Sequence, residues 1–588
     1  MSTTKNSEDT TQGVPGLAAG AIRETALVWE VAVRLRLLGD THVGAALDTP
    51  RHAAESDVAG LVDRDPVSGV PRLRATTLAG LLRHHLTARL GGLDAPTGPD
   101  DPVPRGADVL FGKPSVPREP NELGPGATDS PLELDDCVAL LPEGVGISVR
   151  TGNRIDRNRG AAASGGLWQF EVLPAGTLFT ATLRLRVRNR ADEGRLLALL
   201  ALAADGLRGP VAGPDIRLGA RTGRGYGAVR AEVWHARRHD LATVEGWAGY
   251  YAWTWAERRQ RAERGLDAGP RDERLRDLLD SRASECADAY RAALDAVGAD
   301  QRDRDELVLA VAVAEQPAEV LAAGAGGPVR PGLVMIGDVP GPGAPDRTDR
   351  AHRTRPRFTG DGAVEWQPML GDTGLFAMVK RIGRRLATDA ADAAGYAGGE
   401  ARPAGPEART GAVRARAWHA SWWGEDPAPG SGRPPAPSQV RLRDAPAIDG
   451  GHPMAVTRNS IDALFGDTVD GRLFTDALHA GGTARVVLDV FGADDSVRGL
   501  LALVVRELGT VAFDGVGAGW GVGQGRLTVT GATLTRHRPG AAPEPTDLIA
   551  AVHGTDPVAR SRAQEWVGAL HDRLAPTAAA DAPRGEDR

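Results

Sequence analysis

The stretch Leu218-Gly-Ala-Arg-Thr-Gly-Arg-Gly-Tyr-Gly-Ala-Val-Arg230 places four glycines and three arginines between two apolar runs. A second glycine cluster, Gly515-Val-Gly-Ala-Gly-Trp-Gly-Val-Gly-Gln-Gly-Arg-Leu527, lies near the C-terminus. The residues that follow each cluster, 228–234 and 526–533, have the pattern of a β-strand. The two clusters are therefore predicted to occupy the same structural position in two copies of one domain.

The glycine clusters do not match a dinucleotide-binding fingerprint, because that motif needs a strand before it and a helix after it. One explanation of the clusters is a glycine-rich bulge or hairpin at which two backbones approach closely. The other is close approach to an RNA backbone, whose phosphates could be contacted by Arg217, Arg221, Arg224 and Arg230. Spacing alone leaves both explanations open.

The two halves of the chain show the same order of predicted elements. In the first half, the order is a strand, a helix start, two strands and a helix, at 26–38, 76–86, 132–141, 176–187 and 193–207. Thr76 or Thr77 is expected to cap the first helix, whose apolar positions Leu78, Leu81, Leu82 and Leu86 fall on one face. In the second half, 307–313 is the first strand, 358–385 parallels 65–83 and 455–462 parallels 153–156; the strand 485–491 and the helix 496–508 follow. This shared order predicts an internal duplication.

Between these elements, the polar stretch 150–166 and the Gly/Pro/Ala-rich stretches 391–411 and 424–438 are predicted to be loops. The resulting fold class is α+β. The predicted organisation is a mobile tail, a first domain, a helical linker, a second domain and a C-terminal helical tail, at 1–24, 25–238, 239–303, 304–540 and 541–588.

Net charge, cysteine count and the length of apolar runs limit the classes of protein to which this chain can belong. The 588 residues carry a net charge of −7 and a pI near 6.1, so there is no basic field over the whole molecule. Cys137 and Cys286 are the two cysteines, too few for a disulfide framework or a cysteine zinc site. No apolar run reaches 18 residues. A cytoplasmic protein with no membrane segment is therefore expected.

The sequence shows no Ser/His/Asp set, HExxH or P-loop lysine motif. His84 and His85 are adjacent on a predicted helix, so one is expected to be exposed and the other packed. Residues 150–159 form an arginine-rich loop that fits either a phosphate clamp or an ordinary solvated surface. Taken alone, a carboxylate after the first strand has the usual role of a solvated charge or turn former.

Four blocks of residues nevertheless occur in a fixed order over residues 26–235. They are His42-Val-Gly44; Asp65-Pro66 with Gly69, Pro71, Thr76-Thr77-Leu78, Gly80 and Arg83; Ile155-Asp156-Arg157 with Phe170-Glu171 and Gly176-Thr177; and Gly219, Arg221 and Arg224-Gly225-Tyr226-Gly227. In this order they resemble the RAMP superfamily of CRISPR-associated proteins. In particular, the chain is similar to two fused copies of the repeated backbone subunit of type III CRISPR effector complexes.

The second half, roughly 305–534, matches the family less closely. It keeps Ile461-Asp462, Gly471-Arg-Leu-Phe474 and the glycine-rich end, but has Gly371-Asp-Thr-Gly374 where the family has a serine pair and a lysine. The first half also departs from the pattern at Arg74-Ala75 and Ala79.

The resemblance implies two tandem modified ferredoxin-like (RRM-like) domains that bind crRNA and complementary target RNA alongside other CRISPR effector subunits, in antiviral defence. A thumb hairpin of the family kinks the guide–target duplex. The residues expected to contact RNA are His42, Thr76, Thr77, Arg83, Arg150, Arg154, Arg157, Arg221, Arg224, Tyr226 and Arg458.

The resemblance also implies endoribonuclease activity by an aspartate after the first strand, with a divalent metal ion, Mg²⁺, if cleavage occurs. The position of the family's aspartate holds Ala59, so Asp57 is the candidate and Asp63 the fallback. In the second half, the corresponding loop offers Asp338, Asp346 and Asp349. An RNA backbone splayed at the kink would present its own 2′-hydroxyl as the nucleophile, which needs no covalent protein intermediate.

Four hypotheses follow. The first is a backbone subunit that binds crRNA and cleaves target RNA, and the second is a structural, non-cleaving RNA-binding subunit of the same kind of complex. The third is a guide-processing endoribonuclease with His42 as general base. The fourth is a duplicated metabolic enzyme that is unrelated to RNA.

Overall fold

The computed structural model describes residues 25–44, 60–90, 106–113, 128–155, 162–209, 215–297, 300–314, 331–338, 348–358, 364–394, 406–425, 437–510 and 514–575. Two antiparallel sheets dominate the described part of the chain, and each has its own large hydrophobic core. The mixture of helices and antiparallel sheets confirms the predicted α+β class.

The first sheet is built around β1 (Leu27–Leu37). This strand pairs antiparallel with β7 (Leu178–Val187) on one side and with β8 (Val229–Asp240) on the other. Three short strands lie beyond or beside β7, namely β2 (Arg72–Leu73), β3 (Leu132–Leu134) and β4 (Cys137–Leu140). The spatial order is β2–β4–β7–β1–β8, with β3 beside β7. The apolar alternation of the sequence therefore located the central strands correctly.

Helices α1 (Ala75–Arg89), α2 (Gly106–Phe111) and α3 (Glu193–Ala204) contribute to the first core. As predicted, α1 buries Leu78, Leu82 and Leu86. The predicted threonine cap is wrong. Arg74 is the N-cap residue and makes no side-chain cap, while Oδ1 of Asp136 accepts the N–H of Ala75 at 2.7 Å. The carboxylate of Asp136, which lies in a loop distant in sequence, thus caps the N-terminus of α1 in place of Thr76 or Thr77.

Residues 244–297 form four helices: α4 (Val244–Tyr251), α5 (Trp255–Ala268), α6 (Leu275–Arg282) and α7 (Ala287–Val297). The sequence predicted this helical segment, but as a connection. In the fold, α6 and α7 add Leu279 and Tyr290 to the first core. Helix α5 lies on the opposite face of the sheet, where Leu266 packs against Ala32 and Val233. The segment thus covers both faces of the first sheet.

A hairpin occupies most of the stretch that was predicted to be the loop 150–166. Strands β5 (Ser148–Ile155) and β6 (Ala162–Val172) pair antiparallel from Ser148↔Val172 onwards. The loop prediction was wrong because residues 150–166 are polar and rich in glycine, so the sequence lacks the apolar alternation by which a half-buried strand is recognised. The hairpin is held by backbone pairing and by its aromatic base.

The second sheet has the same spatial order around its first strand. Strand β9 (Arg304–Val313) lies between two long strands, which we number β18 (Thr483–Phe491) and β19 (Leu527–His537). The edge strands are β15 (Val440–Leu442) and β20 (Glu544–Asp547), which gives the order β15–β18–β9–β19–β20.

The remaining strands of this half form smaller ribbons. They are β10 (Leu333–Val334), β11 (Gly337–Asp338), β12 (Arg350–His352), β13 (Thr354–Phe358), β14 (Val364–Pro368), β16 (His452–Ile461) and β17 (Thr468–Ala480). Strands β16 and β17 form a long hairpin whose distal part is exposed and whose base pairs with β10 and β12. This hairpin follows β15, just as the β5–β6 hairpin follows β4.

The helices of the second half are α8 (Thr373–Ala394), α9 (Pro406–Trp423), α10 (Asp495–Thr510), α11 (Leu548–His553) and α12 (Pro557–Leu574). Helix α9 overturns part of the predicted loop 391–411, because proline opens the helix at its first residue and alanines continue it. Helix α12 lies directly against α10, where Gly499 faces the backbone of Trp566 without room for a side chain. No helix among the described residues is both long and apolar enough to cross a membrane.

Candidate functional site

The first glycine cluster forms a loop that closes onto the chain leaving β1. Leu218 donates its N–H to the carbonyl oxygen of Gly227 at 2.9 Å, and Ala220 donates to that of His42 at 2.9 Å. Gly227 in turn donates to the carbonyl oxygen of Asp40 at 3.0 Å. Gly219 has φ +78°, and an added Cβ would overlap the carbonyl oxygen of His42. The glycine is therefore required by close backbone approach.

The second glycine cluster repeats this geometry. Val516 donates to Gly525 at 2.9 Å, and Ala518 donates to Met335 at 2.7 Å. Gly525 donates its N–H to the carbonyl oxygen of Leu333 at 2.7 Å. Gly517 has φ +81°, and an added Cβ there would overlap the carbonyl oxygen of Met335. Each cluster thus makes one backbone hydrogen bond within itself and two to the segment after the first strand of its own half. The two loops have the same backbone geometry, while the duplication of a whole domain stays a prediction.

The first loop carries side chains that the second lacks. The Arg221 guanidinium lies 3.8 Å from the ring centroid of Trp168 and 4.3 Å from that of Phe170. Phe170 also packs against Tyr226, with ring centroids 5.8 Å apart. Arg221 has φ +62°, an uncommon conformation for a residue with a side chain, which costs about 1 kcal/mol. The loop therefore holds Arg221 over the base of the β5–β6 hairpin at some conformational cost.

Arg221 and Arg224 form the free cationic part of this surface. Neither makes an ion pair with a carboxylate among the described residues, and both are half-buried. Burial lowers the pKa of the Arg221 guanidinium, and the neighbouring charge of Arg224 adds to this effect. Two like charges held side by side without a counter-ion favour an anion between them.

His42 lies behind this surface. Its Nδ1 is 2.7 Å from the carbonyl oxygen of Glu171, and its ring meets Phe170 edge to face. Burial lowers the pKa of the imidazole. A neutral ring in this position donates from Nδ1 to the carbonyl, which leaves Nε2 as an acceptor. Glu171 itself accepts from the backbone N–H of Val62 and from Arg64, so this part of the site is fixed in place.

Asp63, the fallback catalytic residue, is buried between two arginines. Arg72 Nε donates to Asp63 Oδ2 at 3.0 Å, and Arg74 donates to both carboxylate oxygens at 2.6 and 2.9 Å. Burial opposes ionisation of Asp63, but the hydrogen bonds from Arg74 and Arg72 outweigh it and lower its pKa. The carboxylate is thus ionised and already neutralised.

The described residues do not fit a divalent ion. No group of three His, Cys, Asp or Glu side chains converges within the described ranges, and the lone pairs of Asp63 are used by Arg72 and Arg74. Asp57 lies outside the described residues, so its role and the expected Mg²⁺ stay predictions.

The other predicted RNA contacts are spread over several elements. Thr76 is exposed and Thr77 half-buried in the first turn of α1, and Arg83 pairs with Asp108. Arg458 is half-buried on β16. The backbone of Arg154 lies in β5, but its side chain is outside the described residues, as is all of Arg157. Of the adjacent histidines, His84 is exposed and His85 is buried, as predicted.

Tyr226 contacts the second half of the chain, and Arg150 shares a carboxylate with an arginine of the second half. Arg150 Nε donates to Asp40 Oδ2 at 2.8 Å, and Arg355 lies 3.0 Å from the same oxygen. The Tyr226 hydroxyl donates to Asp372 Oδ2 at 2.6 Å, and burial together with Asp372 raises the pKa of the phenol. Sequence reasoning missed this interface. Its one signal was the departure from the family pattern at Gly371-Asp-Thr-Gly374, which supplies Asp372.

A family model matches part of this chain. The model is described as the RAMP superfamily, and it matches residues 34–230. This range begins near the end of β1 and contains the β5–β6 hairpin and the first glycine loop, where the resemblance had been found. No curated protein matches the chain. Residues 34–230 therefore match the RAMP superfamily of CRISPR-associated proteins, which supports the resemblance found in the sequence of this part of the chain.

Proposed function

We propose that the chain is a crRNA-binding backbone subunit of a type III-like CRISPR effector complex, with two ferredoxin-like RAMP domains in tandem. The observation that carries the proposal is the paired geometry of the two glycine loops, each closed by the same three backbone hydrogen bonds. The matching strand orders of the two sheets support it. In the order β8–β1–β7–β4, β1 is the first strand of its half and lies between β7 and β8. In the order β19–β9–β18–β15, β9 is the first strand of its half and lies between β18 and β19. A hairpin is inserted at the same point of both halves.

The RNA would pass over the first glycine loop and the base of the β5–β6 hairpin. Arg221 and Arg224 supply positive charge there, while Trp168 is half-buried and available for stacking against a base or ribose. This local charge needs no basic field over the whole molecule, which agrees with a net charge of −7.

The test is whether the protein copurifies with small RNAs of uniform 5′ sequence. The double variant Arg221→Glu/Arg224→Glu is expected to lose this RNA, since it reverses both unpaired charges. Arg291→Glu with Arg264→Glu is the matched control, because both arginines are on helices of the segment 244–297 and away from the loop. RNA retained by the loop variant, or absent from the wild type purified within its complex, would contradict the proposal.

Cleavage of target RNA is the finer form of this proposal, and it rests on Asp57 and Asp349. Asp63 and Arg353 are equivalent backbone positions of the two halves, since each donates its N–H at 2.8 Å to a residue that follows the first strand, Val43 or Ile336. Four residues before these positions stand Ala59 in the first half and Asp349 in the second. Asp349 is exposed, and its Oδ2 accepts the N–H of Thr475 at 2.7 Å, at the base of the β16–β17 hairpin. The second half thus has a carboxylate where the first has Ala59.

A carboxylate here would act as a base. It would take the proton of the RNA 2′-hydroxyl as that oxygen attacks the adjacent phosphorus, and the bond from phosphorus to the 5′-oxygen would break. The products would be a 2′,3′-cyclic phosphate and a 5′-hydroxyl, which receives a proton from solvent. Asp57→Ala and Asp349→Ala are each expected to abolish one set of cuts in complementary RNA, while Asp63→Asn keeps both. Unchanged cuts in both alanine variants would remove these residues from the reaction.

The second candidate function is a structural, non-cleaving subunit. It is favoured by Asp63, whose carboxylate is held by two arginines, and by the lack of a metal-binding group within the described ranges. Complementary RNA that stays intact with the wild-type complex and Mg²⁺ would support this form. The guide-processing hypothesis would need Nε2 of His42 as the base, because Nδ1 is bonded to the carbonyl oxygen of Glu171 and the ring is packed on Phe170.

A further inference from the structure

A cavity lies on the face of the first sheet that is opposite to α1 and α3. It opens between strands β1, β7 and β8 and helices α4 and α5, and its volume is about 370 Å³. Ligand pockets commonly have volumes of about 300–1,000 Å³. Glu30 forms part of its floor and stands seven residues before the end of β1, roughly 23 Å away at about 3.3 Å per residue. The cavity is therefore separate from the glycine loop.

The lining of this cavity is strongly cationic. It has six arginines, Arg184, Arg237, Arg258, Arg259, Arg261 and Arg282, against one carboxylate, Glu30. Glu30 is already bonded to His239 at 2.9 Å and lies 3.5 Å from Arg258. Arg237, Arg259, Arg261 and Arg282 make no ion pair with any described carboxylate. Arg259 and Arg261 are half-buried and the other two are exposed, so the cavity presents positive charge that a bound anion would neutralise.

One of these arginines has a buried nitrogen atom without a hydrogen-bond partner among the described residues. Nη1 of Arg261 is inaccessible to solvent and has no hydrogen-bond partner among the described residues. Such groups are rare in folded proteins, and each asks for an explanation. A bound anion would satisfy this donor.

Three aromatic rings line the same cavity, and each is paired with an arginine. Arg258 lies 3.7 Å from the Tyr250 ring centroid, Arg261 lies 3.9 Å from that of Trp253, and Arg184 lies 4.4 Å from that of Trp255. Stacked pairs of this kind present flat surfaces on which a further planar ring can stack. The guanidinium edges remain available for bidentate contacts to phosphate.

We propose that this cavity binds a nucleoside 5′-phosphate, either free or as the phosphorylated end of an RNA strand. The base stacks on the arginine–aromatic pairs formed by Tyr250 and Trp253, and the phosphate is held by Arg261 with its unpaired neighbours Arg237 and Arg259. An extended acidic peptide would use the positive charge, but it would leave the flat aromatic surfaces without a ring. This proposal does not rest on RNA binding at the glycine loop.

The experiment measures binding of the full chain to the four nucleoside 5′-monophosphates by isothermal titration calorimetry. We expect Kd below about 1 mM for at least one of them, with nucleoside or inorganic phosphate alone at least tenfold weaker. Arg261→Gln is expected to weaken binding by about tenfold or more, and Trp253→Leu by at least about fivefold. Arg264→Gln is the matched control on the same helix, and binding there should change by less than about twofold, since Arg264 does not line the cavity.

A second arm uses an RNA tetranucleotide with and without a 5′-phosphate. Preference for the phosphorylated form that is lost in Arg261→Gln identifies a strand end as the source of the nucleotide. Thermal unfolding checks that each variant is folded, and unchanged copurifying RNA in Arg261→Gln separates this site from the glycine loop. The proposal is overturned if no nucleotide or oligonucleotide binds, if Arg261→Gln binds as tightly as wild type, or if only an oligoglutamate peptide binds in an Arg261-dependent way.

Discussion

The two glycine loops share a backbone and differ in almost every side chain that could act. At the positions of Arg221, Arg224 and Tyr226 in the first loop, the second loop has Gly519, Val522 and Gln524, and it has Trp520 in place of Thr222. Trp520 is 55% exposed and stacks on no arginine in the described part of the chain. The comparison teaches that the glycines specify how each loop closes, while the residues between them decide what that loop can bind.

The same contrast holds at Asp63 and Arg353, which occupy one backbone position with opposite charge. Asp63 donates its N–H to Val43 and accepts from Arg72, as Arg353 donates to Ile336 and accepts from Met369. Asp63 then neutralises Arg72 and Arg74 of its own half. Arg353 instead pairs with Asp372 at 3.2 Å, and Asp372 also accepts from Tyr226 of the first half. The charge reversal therefore turns an internal ion pair into part of an interface between the halves.

The sharpest test of the shared backbone is a pair of glycine substitutions. Gly219→Ala and Gly517→Ala should each lower the free energy of unfolding by about 2–5 kcal/mol, because alanine must adopt a left-handed φ and its Cβ meets a carbonyl oxygen. Chemical denaturation would measure both. Gly223→Ala and Gly521→Ala are controls within the same loops, since an added Cβ meets nothing there and neither glycine has a positive φ. If one member of the first pair is tolerated, the loops are not equivalent.

The next test concerns Asp63 and its two arginines. Asp63→Asn should lower the free energy of unfolding by about 1–3 kcal/mol at pH 7, because two guanidinium groups lose a charged acceptor. The folded-state pKa of Asp63 lies below its unfolded value of about 3.9, so its stabilisation is present above that pH and is lost as the pH falls through the folded pKa. The difference between wild type and variant should therefore shrink below about pH 4.

An exposed ion pair provides the control for Asp63. Asp277 and Arg274 pair on the surface at 2.6 Å, so Asp277→Asn should change the free energy of unfolding by less than about 1 kcal/mol. An effect of Asp63→Asn no greater than that of Asp277→Asn, or one that persists unchanged in acid, would mean that the two arginines are not held by this carboxylate.

How far the sequence predicts this molecule depends on which faces of an element are buried. Alternation located β1, β9 and β18 to within a few residues, because each has at least one face in a core. The β5–β6 hairpin was missed because its sequence is polar and rich in glycine, and the start of α9 was missed because residues 391–411, which contain it, are rich in glycine, proline and alanine. Long-range pairs leave no periodic signal, so neither the Asp136 cap of α1 nor the link from Tyr226 to Asp372 could be predicted.

The candidate site shows the same limit. The family motif identified Arg221, Arg224 and Phe170, because these residues lie in conspicuous local patterns. It could not show that Trp168 and Phe170 would underlie Arg221, since the hairpin and the loop are separated by some 50 residues of chain. Nor could it distinguish Arg150 from Arg221. Asp40 neutralises Arg150, whereas Arg221 has no counter-ion in the described ranges, and this difference is not visible in the sequence.

The smallest expected effect probes the interface between the halves. Tyr226→Phe removes one hydrogen bond to Asp372 and should lower the free energy of unfolding by about 1–2 kcal/mol, because Arg353 still neutralises the carboxylate. Asp372→Asn should cost more, since it weakens both contacts. The loss of unfolding free energy in the double variant should be about 1 kcal/mol smaller than the sum of the losses in the two single variants, because residues in direct contact are coupled.

Tyr290→Phe is the control. The hydroxyl of Tyr290 donates to the carbonyl oxygen of Arg276 within the first half, so its effect should add to that of Asp372→Asn without coupling. Strict additivity for Tyr226 and Asp372 would show that the charge reversal at Arg353 does not join the two halves through this tyrosine.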